Sequence, residues 1–341
     1  MGSARDLDPV DGQPREGAPS STHDGMPEHV PVLYQEVLEA LEVRPGGAYI
    51  DATVGAGGHS AGILAAGSPD GRVLALDRDA RAVETARTRL ASFGDRVTVI
   101  HSSFSSLADT VSRYRFGPAD GILFDLGLSS LQLADASRGF AFTLDGPLDM
   151  RFDRSEEGPT AAEMVNSLPV EELTDILQRY GEERQAWRIA KAIVAARPYR
   201  TTGDLVSTIE GAVRRRGHIH PATRTFQALR IAVNAELDAL ESALPQAVQV
   251  LAPAGRLVVI SFHSLEDRIV KRFVRRESTD CICPIEAPMC VCDHRATLRT
   301  VTSRPIRPSE REVEANPRAR SARMRVAERV GWSDATLREA G

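Results

Sequence analysis

The stretch Asp51-Ala52-Thr53-Val54-Gly55-Ala56-Gly57-Gly58-His59-Ser60 follows a short apolar segment and opens a run with helical periodicity. Its glycines allow the backbone to approach a ligand closely, and the start of a helix offers free N–H groups to an anionic group. Asp77 ends the next apolar segment, where a carboxylate can accept both hydroxyl groups of a ribose. The stretch predicts a strand–turn–helix unit that binds a ligand, although a plain tight turn also explains the glycines.

Short apolar segments alternate with helical segments outward from this turn. The predicted strands are Ala48–Thr53, Arg72–Asp77, Val97–Ile100, Asp120–Asp125 and Arg256–Phe262, and the first helices are Ser60–Ala66 and Ala80–Ala91. Such alternation predicts an α/β fold, with a parallel sheet covered by helices on both faces.

The alternation stops between Asp125 and Arg256, where the sequence is mostly helical. Glu183–Ala196 and Thr223–Leu251 are examples, and the second keeps apolar residues three and four positions apart, as a helix packed on a core does. We predict a helical insertion at residues 133–235. The sheet-forming domain then consists of residues 29–132 and 236–330, after a disordered leader of residues 1–28.

The composition is that of a globular protein with a sizeable core: 341 residues, 42% hydrophobic, 26% charged, with a net charge of −5. The acidic balance by itself argues weakly against a nucleic-acid partner. No apolar run is long enough to span a bilayer, and Met1–Glu28 lacks the apolar stretch of a secretory signal. We therefore expect a cytoplasmic protein with no membrane contact.

Four cysteines fall in one short segment: Cys281, Cys283, Cys290 and Cys292. In a reducing compartment such a group favours free thiols or a metal over disulfides. Structural zinc sites usually space their cysteines two to four residues apart, so the one-residue spacing favours reduced thiols over zinc, even with His294 nearby. No metal ligand is assigned from the sequence.

Two features favour S-adenosylmethionine over a dinucleotide as the ligand of the glycine-rich turn. The third glycine that packs a helix beneath a pyrophosphate would fall at Ser60 and is missing. S-adenosylmethionine has no pyrophosphate and needs its carboxylate, ribose and adenine bound. Phe104, after the third predicted strand, is placed to cover an adenine face, although it could equally be a core residue.

Eight segments of the chain resemble the ribosomal RNA small subunit methyltransferase H family and follow its order along almost the whole sequence beyond the leader. The segments are His29–Leu33, Gly57–Ser60, Asp125–Ser130, Gly146–Arg151, Tyr180–Arg184, His220–Gln227, Ser261–Arg268 and Asn316–Ser321. The resemblance implies a Rossmann-like class I methyltransferase sheet with an inserted, mainly helical domain. It also implies methylation of N4 of a cytidine in the decoding region of 16S ribosomal RNA, with the small ribosomal subunit as partner.

The resemblance also implies a set of cofactor contacts. Leu131 departs from the proline that the family usually has before the glutamine, which concerns the local backbone more than the chemistry. The implied contacts are Gly57, Gly58, His59, Asp77, Phe104, Asp125 and Gln132.

Methyl transfer to the exocyclic amine of cytosine requires the amine to be aligned with the methyl group and a nearby acceptor for its proton. Asp125, Asp149 and His263 are candidates, and Asp125 is the one most easily committed to the cofactor. We assign Asp149 and His263 as catalytic: Asp149 lies in the loop Pro147–Arg151 after a long turn that contains glycine and phenylalanine, and His263 follows a parallel strand, beyond whose carboxyl end ligands gather. Each has a structural alternative: Asp149 can pair with Arg151, and His263 can cap the helix that begins near Leu265.

Basic residues form two groups that suit phosphate contacts, although runs of charge are more often solvated faces. We expect the insertion to dock the ribosomal subunit through the first group. The first group is Arg184, Arg188, Lys191, Arg197, Arg200, Arg214, Arg215, Arg216, Arg224 and Arg230. The second group is Arg295, Arg299, Arg304, Arg307, Arg318, Arg320, Arg323 and Arg325.

Three other functions compete with an RNA methyltransferase. A non-catalytic RNA-binding assembly factor could hold S-adenosylmethionine as a structural ligand. A small-molecule methyltransferase would need neither the large insertion nor the arginines. A dehydrogenase is disfavoured by the glycine pattern.

Overall fold

The computed structural model describes residues 31–213, 220–284, 287 and 289–331. The expected leader and the run Arg214–Arg216 lie outside the described residues. Within them, the strands are β1 (Ala48–Asp51), β2 (Arg72–Asp77), β3 (Val97–His101), β4 (Ala119–Asp125), β5 (Leu251–Ser261), β6 (Leu298–Thr300) and β7 (Arg323–Arg329).

Thirteen α-helices occur in the described part of the chain. They are α1 (Tyr34–Ala40), α2 (Gly58–Ala66), α3 (Ala80–Leu90), α4 (Leu107–Arg113), α5 (Ser130–Ala134), α6 (Ala161–Ser167), α7 (Val170–Gly181), α8 (Ala186–Ala195), α9 (Thr202–Ala212), α10 (Ala222–Asn234), α11 (Glu236–Val250), α12 (Ser264–Glu277) and α13 (Glu310–Ala315). None of the described helices is both long and apolar enough to cross a membrane.

The seven strands form one sheet in the order β3-β2-β1-β4-β5-β7-β6. The first five of these are parallel, and β7 runs antiparallel to both of its neighbours. The strand order reverses between β1 and β4, so the crevice beyond their carboxyl ends is the expected ligand position. The α/β class and the class I methyltransferase sheet expected from the sequence are confirmed, and all five predicted strands are present.

Both faces of the sheet are covered, because successive side chains of a strand point to opposite faces. Ile50, Leu74 and Phe124 pack with α4, α11 and α12 on one face. Tyr49, Val73 and Leu123 pack with α1, α2 and α3 on the other. A third buried apolar cluster is formed by α6 to α10, for example by Leu177, Ile193 and Leu229, and belongs to residues 140–229.

The helix predicted over Thr223–Leu251 is wrong as a single element. It is broken at Ala235, which adopts a left-handed conformation with φ 48° and separates α10 from α11. The apolar spacing continues across the break because Ala235 is the only residue between the two helices. However, α10 packs in the helical cluster, whereas α11 packs on the sheet. The last part of the predicted helix, Leu251, already begins β5.

Substitution of Ala235 by glycine is expected to stabilise the protein by about 0.5–1 kcal/mol. A left-handed conformation is strained for alanine and unstrained for glycine, and the gain is partly offset by the larger entropy of unfolded glycine. Urea denaturation of the full chain measures the difference.

The matched control is Ala239→Gly, the same substitution inside α11. There glycine should destabilise by about 1 kcal/mol, because it lowers helix propensity without relieving strain. Two variants that shift the midpoint in the same direction contradict this account of the break at Ala235.

Candidate active site

The glycine-rich turn joins β1 to α2, and hydrogen bonds to Asp51 hold both of its ends. The buried Asp51 carboxylate accepts hydrogen bonds from the Ser60 hydroxyl at 2.7 Å and from the Thr53 N–H at 3.2 Å. Burial, only partly opposed by these hydrogen bonds, raises the pKa of Asp51. The sequence analysis quoted Asp51 only as the first residue of the glycine-rich stretch and missed this anchoring role.

Glycine is required at the positions of this turn for different structural reasons. Gly57 has φ 81°, and a Cβ atom there would lie 3.3 Å from Leu90. A Cβ atom on Gly58 would lie 2.5 Å from Pro31, so this position requires close packing rather than space for a ligand. Gly55, which was not among the expected contacts, has φ 51°, and a Cβ atom there would have no neighbouring atom within 4 Å. Of these three glycines, Gly55 is the one that leaves open space.

Asp77 lies at the carboxyl end of β2 and holds the turn. Its carboxylate accepts the Gly55 N–H at 2.9 Å and the Asp79 N–H at 2.8 Å. Burial and the nearby Asp79 and Asp51 raise its pKa to about 6, although the two N–H donors favour the charged form. Asp77 is thus at the position expected for a ribose ligand.

Phe104 lies after β3 in a short 3₁₀ turn, Phe104–Ser106, which the Ser103 side chain caps. One edge of its ring meets Phe124 of β4, with ring centroids 5.7 Å apart and planes at 79°. Phe104 is only partly buried. It therefore combines the core contact and the exposed surface that the sequence left as alternatives.

His59 and Asp125 come together where the strand order reverses. His59 Nε2 lies 3.5 Å from Asp125 Oδ2, and the buried imidazole stacks on Tyr34. Both ring nitrogens of His59, Asp125 Oδ1 and the hydroxyl of Ser261 lack hydrogen-bond partners within the described residues. Buried polar atoms without partners are costly in a folded protein, so this group fits a polar ligand.

Gln132 has its amide engaged by the protein. Its oxygen accepts the Ser129 N–H at 3.0 Å in a capping box at the start of α5, and its nitrogen donates to Asp79 Oδ2 at 3.0 Å. The same carboxylate oxygen pairs with the buried Arg138 at 2.9 Å. We call Asp79, Gln132 and Arg138 the Asp79 junction. Gln132 supports the β2 end through Asp79.

Asp149 pairs with Arg151, which is the structural alternative that the sequence analysis gave for it. Its carboxylate accepts hydrogen bonds from Arg151 Nε at 3.1 Å and Nη2 at 3.2 Å, and Arg154 Nε lies at 3.3 Å. Burial would raise the pKa of Asp149, but the hydrogen bonds and charges of these arginines hold it below its usual value. Asp149 is an ionised hydrogen-bond acceptor and a poor base.

Residues 149–156 form a loop that is tied to the carboxyl ends of β2 and β3, and we call it the 149–156 loop. Arg138 of the Asp79 junction donates to the Arg151 and Phe152 carbonyls. His101 pairs with Asp153 at 2.8 Å, and Arg78 pairs with Glu156. These contacts hold Asp149 near the same edge of the sheet as Asp77.

His263 caps α12, which is the alternative that the sequence allowed. Its Nδ1 accepts the Glu266 N–H at 3.4 Å, and its Nε2 lies 3.1 Å from Glu266 Oε1. Glu236 lies beside them and makes a two-point ion pair with Arg230, with both N···O distances 2.8 Å. We call Arg230, Glu236, His263 and Glu266 the His263 cluster. It joins α10 and α11 to the end of β5.

Several supporting residues gave little signal in the sequence. Asp79 has a local signature, since it precedes a helix as an N-cap aspartate does. Arg138 and His101 have none, because their carboxylate partners, Asp79 and Asp153, lie far away along the chain, beyond the reach of any periodicity. The sequence therefore found the residues at strand ends and missed most of those that hold them.

The chain is similar to known proteins over most of its length. A family model described as the MraW methylase family matches residues 26–330. A Dehalococcoides mccartyi protein named ribosomal RNA small subunit methyltransferase H is 53% identical over 303 residues, covering 89% of this chain and 86% of that protein. A Thermomicrobium roseum protein of the same name is 55% identical over 306 residues, covering 89% and 94%.

Solved structures resemble it more distantly. A putative rRNA methylase from Clostridium thermocellum has 12% identity and a TM-score of 0.43, covering 89% of this chain and all of that one. Likeness at that level carries no argument about the site. By its match to that family model and to the two named relatives, the chain belongs to the MraW methylase family.

Proposed function

We propose that this chain transfers a methyl group from S-adenosylmethionine to N4 of a cytidine in the decoding region of small-subunit ribosomal RNA. The observation that carries the proposal is the match, over nearly the whole chain, to proteins named ribosomal RNA small subunit methyltransferase H. The substrate is assembled where ribosomes are made, so the proposal places the protein in the cytoplasm.

The carboxylates at the strand ends fit this cofactor. Asp51, Asp77 and Asp125 end β1, β2 and β4, and burial raises the pKa of the first two. Burial disfavours the ionised form of these carboxylates, and a cationic ligand beside them would favour it. S-adenosylmethionine carries a sulfonium and an ammonium group, whereas a dinucleotide carries phosphates that these acids would repel.

Each cofactor group has residues suited to hold it. Asp77 accepts the ribose hydroxyls, Phe104 covers the adenine, and Gly55 leaves room for the backbone approach. His59 and Asp125 offer their unpartnered polar atoms to the amino-acid end. Gly57 and Gly58 shape the turn, and Gln132 acts through Asp79. When bound, the cofactor supplies an electrophilic methyl group.

The base is oriented by the protein from the other side. Asp149, kept ionised by Arg151 and Arg154, accepts a hydrogen bond from the cytidine amine and turns its lone pair toward the methyl group, and the proton that the methylated amine loses passes to solvent. This is positioning, which supplies much of the rate in favourable systems. His263 fixes the end of β5 and the start of α12, with its imidazole held by Glu266.

The helical insertion of residues 133–235 supplies the RNA contact in this proposal. Arg184, Trp187, Arg188 and Lys191 lie on or beside one exposed face of α8, which we call the basic face. Trp187 is 50% exposed. Within the described residues, none of the three basic side chains has a carboxylate within 4 Å. Free cations beside an exposed aromatic ring suit phosphate contact and stacking on an unpaired base.

The test is transfer of labelled methyl groups to small ribosomal subunits that lack this modification, with the product nucleoside identified by mass spectrometry. N4-methylcytidine at one position is expected. Asp149→Asn should bind the cofactor normally and transfer at least about tenfold more slowly, because the amine loses its charged acceptor.

The exposed pair Asp175 and Arg179 on α7 provides the control variant Asp175→Asn, which should transfer normally. Cofactor binding without any transfer would favour the non-catalytic assembly factor. Methylation at C5 or at a ribose hydroxyl would refute the proposed target atom.

Cofactor affinity is expected to depend on pH through Asp77. With a pKa of about 6, Asp77 is protonated below that pH and ionised above it. Ribose hydroxyls donate to the ionised form, so affinity should fall by up to about tenfold per pH unit below pH 6 and level off above it. Calorimetry between pH 5 and pH 8 measures this.

The variant Asp77→Asn separates Asp77 from other titrating groups. It should bind more weakly at pH 7.5, by about tenfold or more, and its affinity should be flat between pH 5 and pH 6. If the variant keeps the wild-type pH slope, another group, such as Asp51, controls binding.

Removal of two positive charges from the basic face should slow the methylation of small ribosomal subunits. Arg188→Gln with Lys191→Gln is expected to reduce methylation at moderate salt and to flatten its salt dependence by about 0.7–0.9 logarithmic units per lost phosphate contact. Cofactor affinity should not change. Methylation rates over a series of salt concentrations provide the measurement.

Arg89→Gln with Arg113→Gln is the matched control. These exposed residues lie at the ends of α3 and α4, before β3 and β4 begin, and so at the opposite edge of the sheet from the site. The control should behave as wild type. Equal losses in both double variants would mean that net charge, rather than the basic face, governs docking.

A further inference from the structure

The four cysteines meet in the loop between α12 and β6. Cys281, Cys283, Cys290 and Cys292 place their sulfur atoms all within 4.8 Å of one another. They are also all the cysteines of the chain. The sequence spacing favoured reduced thiols, but spacing alone does not show whether the sulfur atoms of the two Cys-x-Cys pairs lie close together. In the fold they do.

The sulfur–sulfur distances are those of a tetrahedral metal site. Zinc binds thiolates at about 2.3 Å, which places tetrahedral sulfur ligands about 3.8 Å apart. Cys290 Sγ and Cys292 Sγ lie 3.6 Å apart, and Cys292 Sγ and Cys281 Sγ lie 3.9 Å apart. Disulfide bonding needs sulfur atoms about 2.05 Å apart and explains pairs rather than a foursome.

The backbone supports the sulfur atoms reciprocally. The N–H of Ile282, between the first two cysteines, points to Cys292 Sγ at 3.4 Å. The N–H of Val291, between the last two, points to Cys283 Sγ at 3.4 Å. N–H donors to sulfur stabilise thiolates, and hydrogen bonds of this kind support metal ligands.

Apolar packing does not explain the loop. Met289 and Val291 are 70% and 74% exposed, and Ile282 also faces solvent. Cys281 and Cys290 are exposed as well, so the four thiols converge without a buried apolar core around them, and another interaction must hold them together. His294 is not needed as a ligand, because the group of converging ligand atoms consists of the four sulfur atoms and does not include His294, whose Nε2 lies 3.0 Å from the Arg276 carbonyl oxygen.

We propose that Cys281, Cys283, Cys290 and Cys292 bind one structural Zn²⁺ ion. Four thiolates complete the tetrahedral shell and leave no open position, so the ion fixes the loop and takes no part in methyl transfer. Binding releases the thiol protons and couples the loop's fold to the metal. The proposal stands independently of the proposed function.

Metal analysis of the full chain tests the proposal. Protein produced without a metal-affinity tag and purified without chelators should contain about one zinc per chain. After anaerobic reduction and removal of metal, one equivalent of Co²⁺ should give the absorption bands of tetrahedral thiolate coordination, and one equivalent of Zn²⁺ should abolish them. This measurement needs no variant and so cannot fail through misfolding.

Two variants separate the ligands from their neighbour. Cys283→Ser with Cys292→Ser should lose the zinc and the cobalt spectrum, whereas His294→Ala should retain both. Loss of zinc in His294→Ala would overturn the four-cysteine assignment. The proposal would be overturned if the protein, with all four thiols reduced, took up neither Co²⁺ nor Zn²⁺ at one equivalent. It would also be overturned if Co²⁺ bound without giving the absorption bands of thiolate coordination.

Discussion

The buried ion pair between Asp79 and Arg138 is the interaction on which the rest of the site depends. Asp79 caps α3, accepts from Gln132 at the start of α5, and pairs with Arg138, which in turn binds the backbone of the 149–156 loop. Removal of one partner leaves a buried charge, which typically costs about 3–5 kcal/mol. A single carboxylate thus joins the β2 end, the segment after β4 and the loop that carries Asp149.

The His263 cluster makes a second junction, and the two together explain why the site spans two layers. The sheet contributes acids at strand ends, the 149–156 loop contributes Asp149, and α8 contributes the basic face. Arg230 on α10 pairs with Glu236 on α11, which lies beside His263 after β5. Burial would raise the pKa of Glu266, but the hydrogen bond to His263 and the nearby charge of Arg230 lower it, so Glu266 stays ionised. Helices and sheet are therefore held by charge as well as by apolar packing.

The sequence predicted the features that have local causes. Asp77 was correctly placed at the end of a strand, because the distance from a glycine-rich turn to the next strand end is set by one helix and one strand. The strands β6 and β7 were missed because β6 has three residues and β7 alternates arginines with Met324 and Val326, which reads as a charged surface. Arg138 was missed because its partner lies far away in sequence. The break at Ala235 was missed because both flanking helices keep one apolar spacing.

The separation of β4 from β5 by residues 126–250 has a consequence for how the chain folds. Closing so long a loop costs entropy before the strand pair forms, and non-local pairing slows folding. The helical cluster draws its core from residues 140–229 and assembles from contacts nearer in sequence. During synthesis it precedes β5, while β4 offers an open edge that can pair with another chain. The layer assigned to RNA is thus made before the sheet that receives the cofactor is closed.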